Sequence, residues 1–274
     1  MYLYKDMRKI DCHRHCSGAA ADLEELKSSA AELDIKKIVL FGHNGMGRVG
    51  VDEKVWEWYS KYKELIVPLA CDFDFVEGDL EYAVACMEKG FYGFGEILIG
   101  HAGAQKKRLA GVKYSDPIPI AIFKLAAKYD GFVLVHSNPI YSKDFLAAVR
   151  ECEQTTFVWA HIAYDFENKA MPDAEEVERL LLENKNLYFD ISFWTTDASC
   201  MGAPKYINLL EKYSTRFIFG MDLTKGYLEM QNKYYSNYEQ VLNKLSKAAQ
   251  MNVYYENMNK LKKKREAKKF NEEK

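Results

Sequence analysis

The segment Asp11-Cys12-His13-Arg14-His15 follows the short run Met7-Arg8-Lys9-Ile10 near the start of the chain. If residues 8–12 form a strand that is about to end, His13 and His15 lie two positions apart and point to the same side. Two imidazoles presented in this way can bind one metal ion. A His-x-His triplet is short, so its interpretation depends on whether other strands also end in metal ligands.

Apolar runs that are typical of buried strands alternate with helical segments along the chain. The predicted strands are 8–12, 37–41, 65–70, 91–96, 132–136, 156–160, 187–191 and 216–222. The predicted helices are 20–33, 53–62, 79–89, 117–129, 143–151, 174–183 and 204–213, and residues 237–262 can supply an eighth. Apolar strands separated by helices indicate parallel strands that are buried on both faces, with right-handed crossovers. Eight such units predict an α/β fold of the (β/α)8 TIM-barrel type rather than an open, doubly wound sheet.

The length of 274 residues suits one such barrel, because this fold takes about 250 residues. We therefore expect a single catalytic domain over residues 1–260. Residues 261–274, which continue the basic run Lys260–Lys269, predict a frayed helical tail. The net charge of -2 and the pI near 6.3 show no overall excess of basic residues, which a nucleic-acid-binding protein would need to neutralise phosphates.

The amino-acid pattern predicts a cytoplasmic protein. The N-terminus has no signal-peptide pattern, and no apolar run reaches the roughly 18 residues that a membrane span needs. The six cysteines are scattered without the spacing of a disulfide framework or a Cys-x-x-Cys zinc site, so we interpret them as reduced.

Several predicted strands end in residues that can bind a metal ion. In a parallel barrel the carboxyl ends of all strands open onto one face, where catalytic residues lie. The candidate metal ligands at these ends are His13, His15, Glu96, His136, His161 and Asp222. A lone histidine is more often structural, but histidines and carboxylates gathered on one face predict a site for a divalent metal ion.

The same positions carry a family resemblance. The His-x-His pair, His136 in Val-His-Ser-Asn-Pro, His161 in Trp-Ala-His-Ile and Asp222 in Phe-Gly-Met-Asp resemble the pattern of the amidohydrolase superfamily, in particular its amidohydrolase-related (amidohydrolase 2) branch. The resemblance spans residues 8 to about 257. It implies a (β/α)8 barrel that holds a divalent metal, usually zinc, through His13, His15, His136 and Asp222.

The resemblance also implies a role for the histidine at the end of the sixth strand. At one position, Glu96, this sequence differs from the family pattern. His161 would bind a second ion or orient the water. Glu96 in Phe-Gly-Glu-Ile stands where other superfamily members carry a carbamylated lysine or no ligand. This glutamate is similar to the bridging carboxylate of TatD-like nucleases, so the site could hold either one metal ion or two.

A metal ion of this kind would support hydrolysis. Bound zinc lowers the pKa of a coordinated water to about 7 and polarises the bond to be cleaved. We expect Asp222 to act as general base and then general acid, with His161 as the second catalytic residue. Residues in the loops after the strands could bind the substrate and determine specificity. The candidates are His43, Asn138, Trp194 and Lys225.

The sequence therefore predicts a metal-dependent hydrolase that cleaves an amide, ester, lactone or related bond in a small-molecule substrate. Three alternatives remain open. They are a metal-dependent decarboxylase or other lyase, a TatD-like phosphodiesterase or deoxyribonuclease, and a barrel that binds metal without catalysis. We expect no membrane or nucleic-acid partner, and the sequence leaves a homo-oligomer open.

Overall fold

The computed structural model describes residues 7–43, 50–192, 202–223 and 228–272. Within these ranges there are eight strands, and each overlaps a strand predicted from the sequence. They are β1 Lys9–His15, β2 Ile35–Phe41, β3 Ile66–Pro68, β4 Gly93–Gly100, β5 Phe132–Ser137, β6 Thr156–Trp159, β7 Leu187–Asp190 and β8 Phe217–Ile218.

The strands form one closed, parallel ring. Hydrogen-bonded pairing runs in chain order within β1–β3 and within β4–β8. The bridge between Ala70 and Phe94 joins β3 to β4, and the bridge between Arg14 and Leu223 joins β1 to the segment that follows β8. This closed parallel sheet, with helices between its strands, confirms the predicted (β/α)8 barrel.

Helices follow the strands as expected for this fold. They are α1 Ala20–Leu33, α2 Asp52–Lys61, α3 Asp79–Lys89, α4 Ala102–Gln105, α5 Pro117–Lys128, α6 Ser142–Glu151, α7 Ala174–Glu183, α8 Pro204–Lys212, α9 Leu228–Leu242, α10 Lys247–Met251 and α11 Asn257–Glu272. Among the described residues, no helix combines the length and the apolar character that a membrane span requires.

The C-terminal region differs from the sequence prediction in two respects. The predicted eighth helix, 237–262, is divided into α9, α10 and α11, because Ser246 starts a new helix by accepting a hydrogen bond from the Ala249 N–H. The tail predicted as helical from residue 261 is helical as far as Glu272, where it forms part of α11, but it packs on the barrel at Arg265 rather than fraying there. The Arg265 side chain is 1% exposed there and donates to the carbonyl oxygens of Phe91, Tyr129 and Met87.

Apolar side chains fill two layers of the barrel. One cluster lies within the ring of strands and includes Ile10, Val39, Val67, Leu134 and Ile218. Their neighbours in the strands point outward and pack against the helices in a second, larger cluster. This alternation follows from the period of two in a strand. It leaves the strand ends on one face to carry polar side chains.

Candidate metal centre

The structure brings the six predicted ligands together at the carboxyl ends of the strands. The His13 Nε2 and His15 Nε2 atoms are 3.3 Å apart. Asp222 Oδ1, which follows β8, lies 3.4 Å from His13 Nε2 and 3.3 Å from His15 Nε2. His161 Nε2 lies 3.9 Å from Asp222 Oδ2. Side chains from distant segments of the chain thus converge on one small volume.

Glu96 lies between the two histidines of β1 and two others, His136 near the end of β5 and His161 just after β6. Its Oε2 atom is 3.3 Å from His15 Nε2, and its Oε1 atom is 3.6 Å from His13 Nε2. The same Oε1 atom is 3.4 Å from His136 Nδ1 and 3.8 Å from His161 Nε2. One carboxylate therefore faces both pairs of histidines.

These distances suit ligands of a shared cation better than direct hydrogen bonds. Atoms that bind one zinc ion at about 2.0–2.2 Å lie about 3.4 Å apart when the geometry is tetrahedral. Glu96 Oε1 is buried and has no hydrogen-bond partner among the described residues. A buried carboxylate oxygen without a partner is costly. A divalent cation would satisfy it, so the residues fit a metal ion.

Hydrogen bonds outside the site orient three of the imidazole rings. The Nδ1 atom of each ring points away from the centre and contacts an oxygen atom. His13 Nδ1 lies 2.9 Å from Asp190 Oδ2, and His15 Nδ1 lies 2.8 Å from the Gly42 carbonyl oxygen. His161 Nδ1 lies 2.5 Å from the Ser192 carbonyl oxygen. When Nδ1–H donates in this way, Nε2 keeps its lone pair for the centre. This is the tautomer that a metal ligand needs.

The charges at the centre are strongly coupled. Burial alone lowers the pKa of His13, but the carboxylates of Glu96, Asp222 and Asp190 outweigh burial and hold this pKa well above its usual value. Burial also lowers the pKa of His15, but the neighbouring carboxylates of Asp222 and Glu96 outweigh burial and raise this pKa to about 9. The carboxylates thus strongly stabilise a positive charge placed between them.

The carboxylates respond in the opposite direction. Burial raises the pKa of Asp222, but His13, His15 and His161 outweigh it and lower this pKa to about 2. Burial also raises the pKa of Glu96, and His13 with the neighbouring histidines holds it well below its usual value. Both carboxylates are therefore ionised at neutral pH and available to a cation.

Glycine permits the close approach of backbone segments at two points beside the site. A Cβ atom on Gly220 would lie 2.9 Å from His13 Cβ and 3.0 Å from Cys12 Sγ, so the end of β8 could not reach β1 with a larger residue. Gly95 has a φ of 147°, and a Cβ there would lie 2.7 Å from Leu134 Cβ. Gly95 therefore fixes the path of the strand that presents Glu96.

The backbone is also unusual at two of the ligands. His161 has a φ of 59° and Asp222 has a φ of 50°, both in the left-handed region that residues other than glycine seldom adopt. The Asp222 N–H donates to the His13 oxygen at 2.8 Å, and the His161 N–H donates to Asp190 Oδ1 at 2.9 Å. These bonds hold the turns that aim both side chains at the centre.

Sequence reasoning missed Asp190, which organises this side of the centre. Asp190 ends β7 and is fully buried, and its Oδ1 atom accepts hydrogen bonds from the backbone N–H groups of His161 and Ser192, each at 2.9 Å. Its Oδ2 atom contacts His13 Nδ1. An acidic residue at the end of a buried apolar strand was the available signal, because such a carboxylate needs partners inside the protein.

The predicted substrate-binding residues have different placements. His43 stacks on His15 with the ring centroids 4.0 Å apart, so it lies beside the centre. Asn138 is 2% exposed, and its Oδ1 atom accepts a hydrogen bond from the Ala102 N–H at 3.2 Å. It therefore braces the loop after β4, and a substrate contact for either residue stays a prediction. Trp194 and Lys225 lie outside the described residues.

His101, directly after β4, also lies beside the centre. Its ring centroid is 4.7 Å from that of His136, and its Nδ1 atom accepts hydrogen bonds from the N–H groups of Gly103 and Ala104. Burial, followed by the influence of His136, lowers the pKa of His101 to about 4. The imidazole is therefore neutral at physiological pH.

A second group of potential ligands, Asp52, Cys71 and Asp72, has a structural explanation. The Asp52 carboxylate accepts hydrogen bonds from the N–H groups of Cys71 and Asp72 and from the Tyr82 hydroxyl. Asp72 Oδ2 in turn accepts the Asp52 N–H at 3.1 Å. The two carboxylates therefore clamp the start of α2 to the segment after β3.

Comparison with solved structures finds the same fold in several amidohydrolase-family proteins. A probable 2-pyrone-4,6-dicarboxylic acid hydrolase from Acinetobacter baumannii, with citric acid bound, has a TM-score of 0.67 at 15% identity, covering 94% of this chain and 100% of its own. An amidohydrolase from Burkholderia multivorans with bound zinc has a TM-score of 0.65 at 13% identity, covering 93% and 99%. Amidohydrolase 2 from Bifidobacterium longum subsp. infantis has a TM-score of 0.58 at 13% identity, covering 94% and 99%.

At these identities the likeness shows the fold. No family model matches the sequence, and no curated protein matches it. The resemblance noted in the sequence is thus confirmed for the barrel architecture, and the chemistry rests on this chain's own residues.

Proposed function

We propose that this protein is a metal-dependent hydrolase that cleaves an amide, ester, lactone or related bond in a small molecule. The observation that carries the proposal is the buried Glu96 Oε1 atom, which has no hydrogen-bond partner among the described residues and lies within 3.8 Å of nitrogen atoms from His13, His136 and His161. With His15 and Asp222 these residues would hold one or two divalent ions, and nitrogen and carboxylate donors are typical of zinc.

A divalent metal ion bound there supplies Lewis acidity, which makes a water molecule more acidic and polarises the bond to be cleaved. Asp222 is the group that we assign to proton transfer. Its side chain is 15% exposed, whereas that of Glu96 is 3% exposed. Because its pKa is about 2, Asp222 is ionised and can accept a proton from the water and later return it to the leaving group.

His161 is the second residue that we place in the reaction. Its Nδ1 atom is held by the Ser192 oxygen, so Nε2 faces Asp222 and Glu96. Burial lowers the pKa of His161. The neutral ring can bind an ion or orient the water through Nε2.

The fold relatives and the chemistry of the centre support an order in which candidate substrates should be tested. Relatives from Acinetobacter baumannii and Pseudomonas putida are described as probable or putative 2-pyrone-4,6-dicarboxylic acid hydrolases. A 2-pyrone is a cyclic ester, so lactones come first among the substrates that we propose to test. Amides and simple esters follow, because the same proton transfers serve all three.

The test combines metal content with turnover. Protein expressed with added zinc should contain at least one equivalent of metal per chain and should hydrolyse members of a panel of lactones, esters and amides. Less than about half an equivalent of any transition metal would contradict the proposal. Release of carbon dioxide from aromatic carboxylic acids without hydrolysis would indicate a lyase instead.

The matched variant is Asp222→Asn, which keeps the size of the side chain and removes the proton acceptor. We expect it to lose turnover by a factor of about 10² or more while it retains part of its metal. Full activity of this variant would remove the role assigned to Asp222. A metal-loaded wild type that turns over no substrate in the panel would favour a barrel that binds metal without catalysis.

A second candidate function, phosphodiester hydrolysis, is favoured by the position of Glu96. This carboxylate faces both pairs of histidines, which suits two ions about 3.5–4 Å apart. The test is hydrolysis of bis(p-nitrophenyl) phosphate by the zinc- or manganese-loaded protein. Activity that Glu96→Gln abolishes would support this function, and activity that survives the change would contradict a bridging role.

A further inference from the structure

His101 is held by its backbone and its side chain in one fixed orientation. Its N–H donates to the Leu98 oxygen at 3.0 Å, and its carbonyl oxygen accepts the Gln105 N–H at 3.0 Å. Its Nδ1 atom accepts the N–H groups of Gly103 at 3.0 Å and Ala104 at 3.3 Å. The ring therefore caps α4 and cannot turn without losing these bonds.

The cap determines which nitrogen of the ring carries the proton. A nitrogen that accepts two N–H groups has no proton of its own, so Nδ1 is the unprotonated atom. The neutral ring then carries its proton on Nε2. The Nε2–H group points away from the start of α4 and is a donor that the cap does not use.

The loop after β4 is anchored to the end of β5, which carries His136. The Asn138 N–H donates to the Gly100 oxygen at 2.9 Å, and Asn138 Oδ1 accepts the Ala102 N–H at 3.2 Å. The His101 ring lies against that of His136 at a centroid distance of 4.7 Å and an interplanar angle of 63°, and it is half-buried. The ring that carries this donor is thus fixed in orientation and lies beside His136, one of the candidate metal ligands.

We propose that the Nε2–H group of His101 binds the acyl oxygen of the substrate and stabilises the negative charge that develops on it during hydrolysis. This inference rests on the proposed function and adds a residue to it. A donor that is fixed before the reaction stabilises developing charge without reorganisation, which makes it most effective in the transition state. Its loss should therefore lower kcat more than it raises KM.

Two substitutions separate this role from the capping role. In His101→Asn the amide oxygen takes the place of Nδ1 and asparagine is a favourable N-cap residue, but no donor reaches the position of Nε2. In His101→Gln the longer amide can place an N–H group near that position. We expect His101→Asn to keep its zinc content and its unfolding temperature and to lose about 10²-fold in kcat.

The glutamine variant should recover part of the lost kcat. Lys107→Gln, an exposed change in the same loop, should behave as the wild type. Wild-type kcat in a folded, zinc-loaded His101→Asn variant would overturn the proposal. A purely capping role would give the reverse pattern, with the asparagine variant active and the glutamine variant destabilised.

Two measurements test the role of His101 even if the protein is not a hydrolase, because neither of them requires turnover. Nitrogen-15 NMR of the zinc-loaded protein at pH 7 should show His101 with protonated Nε2 and unprotonated Nδ1, assigned by comparison with His101→Asn. Methylphosphonate, a tetrahedral oxyanion, should bind zinc-loaded wild type and Lys107→Gln about tenfold more tightly than His101→Asn. A protonated Nδ1, equal dissociation constants, or no binding to any of the three would overturn the proposal.

Discussion

His13 and His15 show how single residues at the centre are tuned by their surroundings. Each ring is buried, which disfavours its charged form, yet the neighbouring carboxylates raise the pKa of both. Without a cation, the centre therefore holds protons on these histidines. A metal ion must displace those protons before it can bind.

Removal of the metal should make stability depend on pH. His15 has a folded-state pKa of about 9, above the value of about 6.5 expected in the unfolded chain. Its contribution to the free energy of unfolding is thus fully present below about pH 6.5 and lost as the pH rises through 9. Urea unfolding of chelated protein should show decreasing stability from pH 6 to 9.5, and a flat profile would contradict the assignment.

Zinc affinity should change in the opposite direction over the same range. Zinc competes with the protons on His13 and His15, so its apparent affinity should rise between about pH 6.5 and 9 with release of protons. Calorimetry in buffers of different ionisation enthalpy would measure this release. His15→Gln should bind zinc more weakly and with fewer protons released.

Asp190 should control metal affinity although it does not point at the centre. Asp190→Asn keeps the volume of the side chain but weakens its hold on His13 Nδ1. We expect zinc to bind roughly 10–100-fold more weakly, as is typical for residues that orient metal ligands. A zinc-chelator competition assay would measure the change, with the exposed Glu175→Gln as the control. An unchanged zinc affinity would mean that Asp190 serves the fold alone.

At the scale of the elements, the periodicity of apolar residues was sufficient to place strands and helices. The predicted and observed bounds of the helices 20–33, 79–89 and 174–183 coincide. Strand ends were harder to place, because the segments there are held by loops rather than by neighbouring strands. β4 continues to Gly100, and β8 is reduced to Phe217–Ile218 before the turn that carries Asp222.

The candidate ligands were also predictable from the sequence, since each follows an apolar strand in a fold that gathers strand ends on one face. The groups that orient them were not. The contact of Asp190 with His13 joins positions 177 residues apart, and the His101 cap depends on a loop conformation. Periodicity does not determine either contact.

Helix α11 provides a prediction at this scale. Arg265 is buried and donates to three carbonyl oxygens between α3 and β5, so it joins the last helix to the barrel. Arg265→Met leaves these acceptors without their donor and should lower the free energy of unfolding by about 3 kcal/mol. Urea unfolding would measure it. The exposed Lys263→Met should change stability by less than about 0.5 kcal/mol, and similar values for both variants would contradict a joining role for Arg265.

At the scale of the whole molecule, the closed barrel is what allows residues from distant parts of the chain to share one ion. Each strand supplies a rigid support, and the ring of strands brings their ends within a few ångströms. The apolar interior below the centre contributes a low dielectric, which strengthens the interactions between the histidines and carboxylates. The fold thus stabilises a buried cluster of polar side chains that would be energetically unfavourable without a cation.

The most direct test is a crystal structure of the zinc-loaded protein with anomalous data collected on both sides of the zinc absorption edge. We predict an anomalous peak about 2.0–2.2 Å from His13 Nε2, His15 Nε2 and an Asp222 carboxylate oxygen. A second peak between Glu96, His136 and His161 would establish two ions. Absence of any peak among these six side chains, with zinc bound elsewhere or not at all, would contradict the account.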